Sequence, residues 1–437
     1  MATDRFENHA TARRDVEHSA RLLKRLYLAE RETMRALGAW HISIATWAIK
    51  TSTPRHMWHD ALHADALRSR VLELRYPKRD VDKGHDPRLV AFLDEITRAQ
   101  NETEFVLGIY RVVKPALIDA YEGYLTGGDA LIDAPSFYHI EHVLVDERQQ
   151  LAEAESVLAS LDQAAVAAAG AWTDYLRHSL AAIGGLLGEG VHGQPPRDHP
   201  ASGRPAYVVP ERAVRDPRFL PATVESPGRA PVSVREEQVW YAIDHANEVW
   251  AAEVPGAFMW QFPDMPWSFY LDVARWSYDE MRHALMGMRR LEAWGFAMGV
   301  DYPMVGDPIH AILEKGGGPL EILALLYYFE RDAPAHRVGT KRRFLEVEDT
   351  DTAHDTDYDW ADEAIHLKFG YTWLSHILGE NSRKELAELV DRAGGMWNAW
   401  LAERWERGED GYGPFMARID AKIRAAEARA AGTTAPR

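Results

Sequence analysis

Two short stretches of the chain repeat a pattern of metal-ligand type. "YDEMRHALMG" occupies positions 278–287 and "ADEAIHLKFG" positions 361–370, and each holds Asp-Glu-x-x-His with a glycine four residues after the histidine. On a helix, residues three apart share a face, so Glu280 with His283 and Glu363 with His366 each present a carboxylate and an imidazole in one direction. A single Glu-x-x-His is a common accident of helical composition, and a solvated polar face is its default reading. Here each copy is preceded by another glutamate at nearly the same distance: Glu248 lies 32 residues before Glu280, and Glu330 lies 33 before Glu363. A repeated antiparallel helical hairpin produces such matched offsets. Glu330 directly follows the apolar run of "LEILALLYYF", where an unpaired carboxylate is costly and a cation is wanted. Mixed oxygen and nitrogen donors suit iron or manganese. Gly287 and Gly370 sit two turns beyond their glutamates at a cost of about 1 kcal/mol each relative to alanine; space beside a metal and close helix packing explain them equally well.

The elements that must position these residues are helical. A Gly/Pro-crowded segment, residues 184–232, separates two helix-rich blocks, because glycine and proline interrupt helices by entropy and by loss of the N–H donor. Alternating strand patterns are almost absent apart from a short extended "YVVP" in that segment, so the expected class is all-α. In the first block, periodicity predicts helices over 12–49, from about 56 after the breaker "TSTP", over 86–125 and over 136–182. In the second block it predicts helices over 234–261, from "FPDMPWS" (Asp264 as N-cap, Pro266 in the first turn) to about 295, over 320–335 and over 361–378. The acidic "EVEDTDTAHDTDYDW" is expected to precede the last of these. The expected organisation is an N-terminal helical bundle (1–183), a Pro/Gly-rich linker (184–232), a second four-helix bundle (233–380) and a C-terminal helical extension with a tail (381–437).

Residues 233–380, with "HANEVWAAE", "FPDMPWSFY", "YDEMRHALMGMRRLEAWG" and "ADEAIHLKFG", resemble the ferritin-like di-metal carboxylate superfamily, and especially a group of poorly characterised bacterial ferritin-like proteins. In such bundles a Glu from each of two helices and a Glu-x-x-His from each of the other two face inward. The resemblance implies that Glu248, Glu280, His283, Glu330, Glu363 and His366 are metal ligands, with Glu280 and Glu363 bridging. It implies two metal ions, Fe/Fe first and Mn/Fe or Mn/Mn as alternatives, with O2 as co-substrate. Glu253 is the alternative first-helix residue, nearer the apolar face of Val239, Ile243, Trp250 and Val254; Glu248 is preferred on its offset, with Glu253 beside the ligands. Asp279 and Asp362 either orient the histidines or are solvated helix acids. Tyr278, Tyr327, Tyr328 and Tyr371 either shape the cavity or pass electrons, or serve as ordinary bundle packing, which is the preferred reading.

The first block departs from this pattern. Asp60 and His63 in "WHDALHADALRSRVLELR" align with Glu280 and His283, and Glu30 or Glu32 could stand for the first-helix carboxylate, but "SFYHIEHVLVDE" has no Glu-x-x-His. Duplication and convergent helical composition explain the likeness about equally, and the first bundle is expected to be a metal-free partner in which Asp60→Ala leaves metal content unchanged.

Composition limits the chemistry further. The chain has 437 residues, a formal net charge of −17 and no cysteine, which removes thiolate metal sites, cysteine-ligated clusters and disulfides. Its acidity argues against nucleic acid and anionic membrane surfaces as partners. Without a signal-like N-terminus or a long apolar run the expected location is cytoplasmic. The expected activity is that of an O2-dependent oxidase or oxygenase acting on a small-molecule substrate, with an electron donor as a further partner and a homodimer left open. Iron handling (ferroxidation or peroxide detoxification) and a metal-free helical scaffold are the alternatives. The substrate has no readable motif.

Overall fold

The computed structural model describes residues 14–220, 229–331, 333–379 and 382–433. The described residues are all-α, with three isolated β-bridges and no strand. No helix among them is long and apolar enough to cross a membrane. The chain divides into two compact units: residues 1–40 with 55–208, and residues 41–54 with 209–437.

The first unit is built on α1 (Val16–His41), the part of α2 (Trp47–Glu73) from residue 55 onward, α3 (Pro87–Ile96), α4 (Glu102–Gly108), α5 (Lys114–Thr126), α6 (Ala134–Leu158), α7 (Gln163–Ala168) and α8 (Gly170–Ala182), while the first turns of α2 belong to the second unit. The expected helix over 86–125 is interrupted: Thr97 ends α3, and Asn101 restarts the chain by accepting from the Glu104 N–H. A π-turn, Ile109–Val113, then joins α4 to α5. Such turns insert a residue and re-aim the side chains beyond it, often at functional positions; here the next residue is Lys114.

The stretch "TSTP", expected to break the chain, lies inside α2. Pro54 cannot donate to the Lys50 carbonyl four residues back, and His41 Nε2 sits 3.0 Å from that oxygen and satisfies it instead. The hydroxyls of Thr51 and Thr53 bond back to the carbonyls of Trp47 and Ile49. A tertiary contact thus rescues a helix that local propensity alone would end.

The second unit contains α9 (Val234–Ala246), α10 (Val249–Gln261), α11 (Trp267–Ala293), α12 (Pro308–Glu314), α13 (Pro319–Glu330), α14 (Ala333–Glu346), α15 (Thr350–Leu378), α16 (Ser382–Glu406) and α17 (Gly413–Thr433). The helices α9 and α10 pack along α11, α13 and α14 pack along α15, and α11 meets α15, so two helical pairs face each other. An apolar core that includes Val239, Ile243, Val249, Met281, Ala284 and Leu291 fills one side of this arrangement.

Four expectations for this unit are corrected. The helix over 234–261 is two helices, broken at Asn247 and Glu248. Asn247 donates to the Ile243 and Pro303 carbonyls and accepts from the Val305 N–H, fixing the break. The third helix ends at Glu330, and a separate α14 follows it. The last helix starts at Thr350, eleven residues before Ala361, with Asp349 capping it by accepting from the Thr352 N–H. The acidic run is helical because its charges have partners: Asp355 pairs with Arg289 and Arg290, and Asp359 with Arg337. At the start of α11, Pro266 itself is the cap residue and Asp264 makes no cap bond.

Candidate metal centre

The helix-packing pattern brings the six predicted residues together in the second unit. Glu280, His283, Glu330, Glu363 and His366 are buried, and Glu248 is nearly so. Glu248 reaches the centre from the break between α9 and α10, Glu280 and His283 from α11, Glu330 from the last turn of α13, and Glu363 and His366 from α15. Donor atoms of Glu280, Glu330, Glu363 and His366 lie within 4.8 Å of one another, as do those of Glu248, Glu280 and His283.

The two motif glutamates each turn one oxygen towards each histidine. Glu280 Oε2 lies 3.6 Å from His283 Nδ1 and its Oε1 3.1 Å from His366 Nδ1. Glu363 Oε1 lies 3.8 Å from His283 Nδ1 and its Oε2 3.8 Å from His366 Nδ1. Each remaining glutamate faces one histidine: Glu248 Oε2 lies 3.5 Å from His283 Nδ1, and Glu330 Oε1 3.8 Å from His366 Nδ1. The imidazole centroids are 6.0 Å apart. Each half therefore has one histidine, one glutamate of its own and a share in two others.

The outward nitrogens are met in a crossed manner. His283 Nε2 faces Asp362 Oδ2 at 3.3 Å, on the other motif helix, and His366 Nε2 faces Asp279 Oδ2 at 3.5 Å. Both aspartates are held by Arg282, and Arg275 reaches them as well. Trp276 donates to Glu280 Oε1 at 2.9 Å and stacks on His366, closing that side with an apolar wall. The aspartates thus fix which imidazole nitrogen points inward.

The electrostatics are those of concentrated negative charge. Burial pushes the Glu248 carboxyl up to about 7 against the pull of His245 and His283. Burial also opposes ionisation of Glu280, but the His283 and His366 imidazoles beside it bring it down to about 2. The histidines are raised well above their ordinary value: burial lowers them, and Asp359, Asp362, Asp279 and the site glutamates more than compensate. Without a metal, the raised imidazoles offset part of the carboxylates' charge. Even so, His283 Nδ1, His366 Nδ1, Glu248 Oε2 and Glu363 Oε2 are buried without a hydrogen bond among the described residues. Unpartnered donors of this kind, converging on one centre, fit metal ions.

Asp359 and Arg337 belong to this centre and were not foreseen from the sequence. Asp359 Oδ1 is 3.7 Å from His283 Nδ1, while its Oδ2 takes His245 Nε2 at 3.1 Å and Arg337 Nε at 2.5 Å. Arg337, on α14, also approaches Glu248 and Glu363. Asp359 precedes Glu363 by one helical turn, a signal that becomes visible only once the acidic run is known to be helical.

Other predicted residues have different duties. The Glu253 carboxylate is bound by Lys50 and Arg215, and Glu253 is not among the converging donor groups. A Cβ on Gly287 would lie 2.3 Å from the Ala242 carbonyl oxygen, and one on Gly370 would meet the Tyr327 ring at 2.7 Å, so both glycines serve close packing. Tyr328 packs beneath Gly394, and Tyr371 is exposed.

Among known proteins, residues 189–403 match a family model described as "Protein of unknown function (DUF455)". No curated protein and no solved structure matches the chain. The matched segment contains all six of the converging glutamates and histidines.

Proposed function

We propose that the second unit is a ferritin-like di-metal carboxylate bundle and that the protein is an O2-dependent oxidoreductase acting on a small organic substrate. The observation that carries this reading is the pairing of Glu280 and Glu363, each with one oxygen towards either histidine, as two bridging carboxylates require. Charge supports the same count. With Asp359 matched to Arg337, four glutamates leave four negative charges for two divalent ions and two neutral imidazoles.

When bound, the metal pair supplies Lewis acidity and the electrons for reducing O2. The chain's own residues do the rest. Glu248 with His283 and Glu330 with His366 hold the two halves, and Asp362 and Asp279 keep the imidazole Nδ1 atoms inward. Trp276 excludes water beside Glu280, and Arg337 tempers the charge around Glu248 and Glu363.

Protein purified without chelators and reloaded with ferrous iron is expected to retain two ions in this unit and to consume O2. Glu280→Ala or Glu363→Ala is expected to remove both ions, because each residue serves both halves, whereas Glu330→Ala removes one. Metal analysis and an oxygen electrode read these outcomes. Retention of both ions in Glu280→Ala would overturn the bridging assignment, and reloaded protein that takes up no O2 would overturn the oxidoreductase reading in favour of a structural metal or a scaffold.

A further inference from the structure

The first unit contains a second converging cluster built to the same plan. Glu30 on α1, Asp60 and His63 on α2, and Glu147 on α6 are buried, and one donor atom from each lies within 4.8 Å of the other three. Their relation repeats that of the second unit. Asp60-x-x-His63 matches Glu280-x-x-His283. Glu147, preceded by Asp146 and followed three residues later by Gln150, matches Glu363 with Asp362 and His366. His63 turns Nδ1 towards Glu30 (3.5 Å) and Glu147 (3.6 Å) and Nε2 towards Asp146 (3.2 Å), as His283 turns its nitrogens to Glu248, Glu363 and Asp362. Glu32, the other first-helix carboxylate considered, is instead engaged by Arg31 and Arg35.

The differences fall on one half of the plan. Lys114 stands 33 residues before Glu147, as Glu330 stands 33 before Glu363, and Gln150 replaces the histidine of that half. The Lys114 ammonium donates to Asp60 Oδ1 (2.6 Å) and Glu147 Oε1 (2.7 Å), the two carboxylates in the bridging positions. Gln150 Nε2 donates to the same Asp60 oxygen. A fixed cation thus takes the part of one metal. The other half keeps its glutamate, its histidine and the aspartate behind the histidine. His63 Nδ1, Glu30 Oε2, Asp60 Oδ2 and Glu147 Oε2 are buried without a hydrogen bond among the described residues. Three carboxylates less one ammonium leave two negative charges beside a neutral imidazole.

We propose that Glu30, Asp60, His63 and Glu147 bind a single divalent first-row metal ion, with the Lys114 ammonium in place of a second. One nitrogen and three oxygen donors suit manganese, iron or zinc, and tetrahedral ligand bonds of about 2.0–2.2 Å set donors about 3.3–3.6 Å apart, the separation His63 Nδ1 already keeps from Glu30 (3.5 Å) and Glu147 (3.6 Å). This reverses the expectation, drawn from the missing Glu-x-x-His, that the first bundle is metal-free. It does not depend on the function proposed for the second unit.

The test uses the full chain, stripped by chelation and reloaded with Mn2+. Wild type is expected to hold three ions per chain and His63→Gln two. A Glu280→Gln/Glu363→Gln variant is expected to hold one, giving the six-line electron paramagnetic resonance spectrum of an isolated Mn2+ with nitrogen coupling that 15N-histidine labelling alters. Equal ion counts in wild type and folded His63→Gln overturn the proposal, with protonated His63 as the cluster's only cation besides Lys114. If the double variant fails to fold, the wild-type and His63→Gln counts still decide. If the second unit binds nothing, the counts become one and zero, so the two proposals fail separately.

Discussion

The behaviour of the candidate centre rests on residues that touch no metal position directly. Asp362 holds the outward nitrogen of His283 and is itself held by Arg282, so Asp362→Asn leaves the donor count intact while loosening the ring. The expected result is a loss of affinity of about 10–100-fold for one of the two ions, with the other little changed. Competition against a chromophoric chelator measures it, and an unchanged affinity for both ions would assign Asp362 to Arg282 alone. At this scale the sequence was legible where chemistry demands fixed spacing: the two Glu-x-x-His pairs and their matched upstream glutamates. It was not legible for Arg337 and Asp359, because a buried ion pair between two helices leaves no period in either one. Lys114 was hidden for the same reason, since a lysine reads as solvent-facing until its partners, Asp60 and Glu147, are seen around it.

Elements are brought close enough to assemble the centre by residues with nothing to contribute to it. α9 crosses α11 at Gly287, where a methyl group would lie 2.3 Å from one backbone atom and 2.6 Å from another. Backbone cannot swing aside, so Gly287→Ala is expected to destabilise the second unit by about 3 kcal/mol, the upper end for overpacking. Gly370→Ala meets the Tyr327 side chain instead, and a tilt of that ring should hold the loss to about 1 kcal/mol. Urea midpoints of the two variants rank them, and the reverse order would contradict this account of the packing. In the first unit, Lys114→Met leaves Asp60 and Glu147 without their cation and is expected to cost about 3–5 kcal/mol by the same measurement in chelated protein. Helix class was readable from period, whereas helix ends often were not. Pro54 is carried through α2 by His41, and the break at Asn247 is set by bonds to residues more than fifty positions away. Local propensity holds no record of either partner.

For the molecule as a whole, the net charge of −17 coexists with buried acids whose ionisation the fold either favours or resists. Glu253 is the clearest of the favoured ones: burial opposes its charge, but Arg215 and Lys50 bring its pKa down from 4.5 to about 2. A carboxyl depressed in this way stabilises the folded state above its ordinary value, and that contribution is lost as pH falls from about 4.5 towards 2, up to roughly 3 kcal/mol by linkage. Glu248, raised by burial to about 7, acts in the opposite sense in metal-free protein: its neutral form is favoured, and the associated stability fades as pH rises from 4.5 through 7. Urea unfolding of the chelated protein at pH 7, 4 and 3, avoiding the pI near 5.6, separates the two. Glu253→Gln leaves Lys50 and Arg215 buried without a counter-charge, so it is expected to be less stable at pH 7 by about 3 kcal/mol. Its stability should also fall less steeply than wild type between pH 4 and 3. Parallel acid limbs for the two proteins would show that other carboxylates, with Glu280 and Asp359 first among them, govern acid unfolding in place of the Lys50–Glu253–Arg215 cluster.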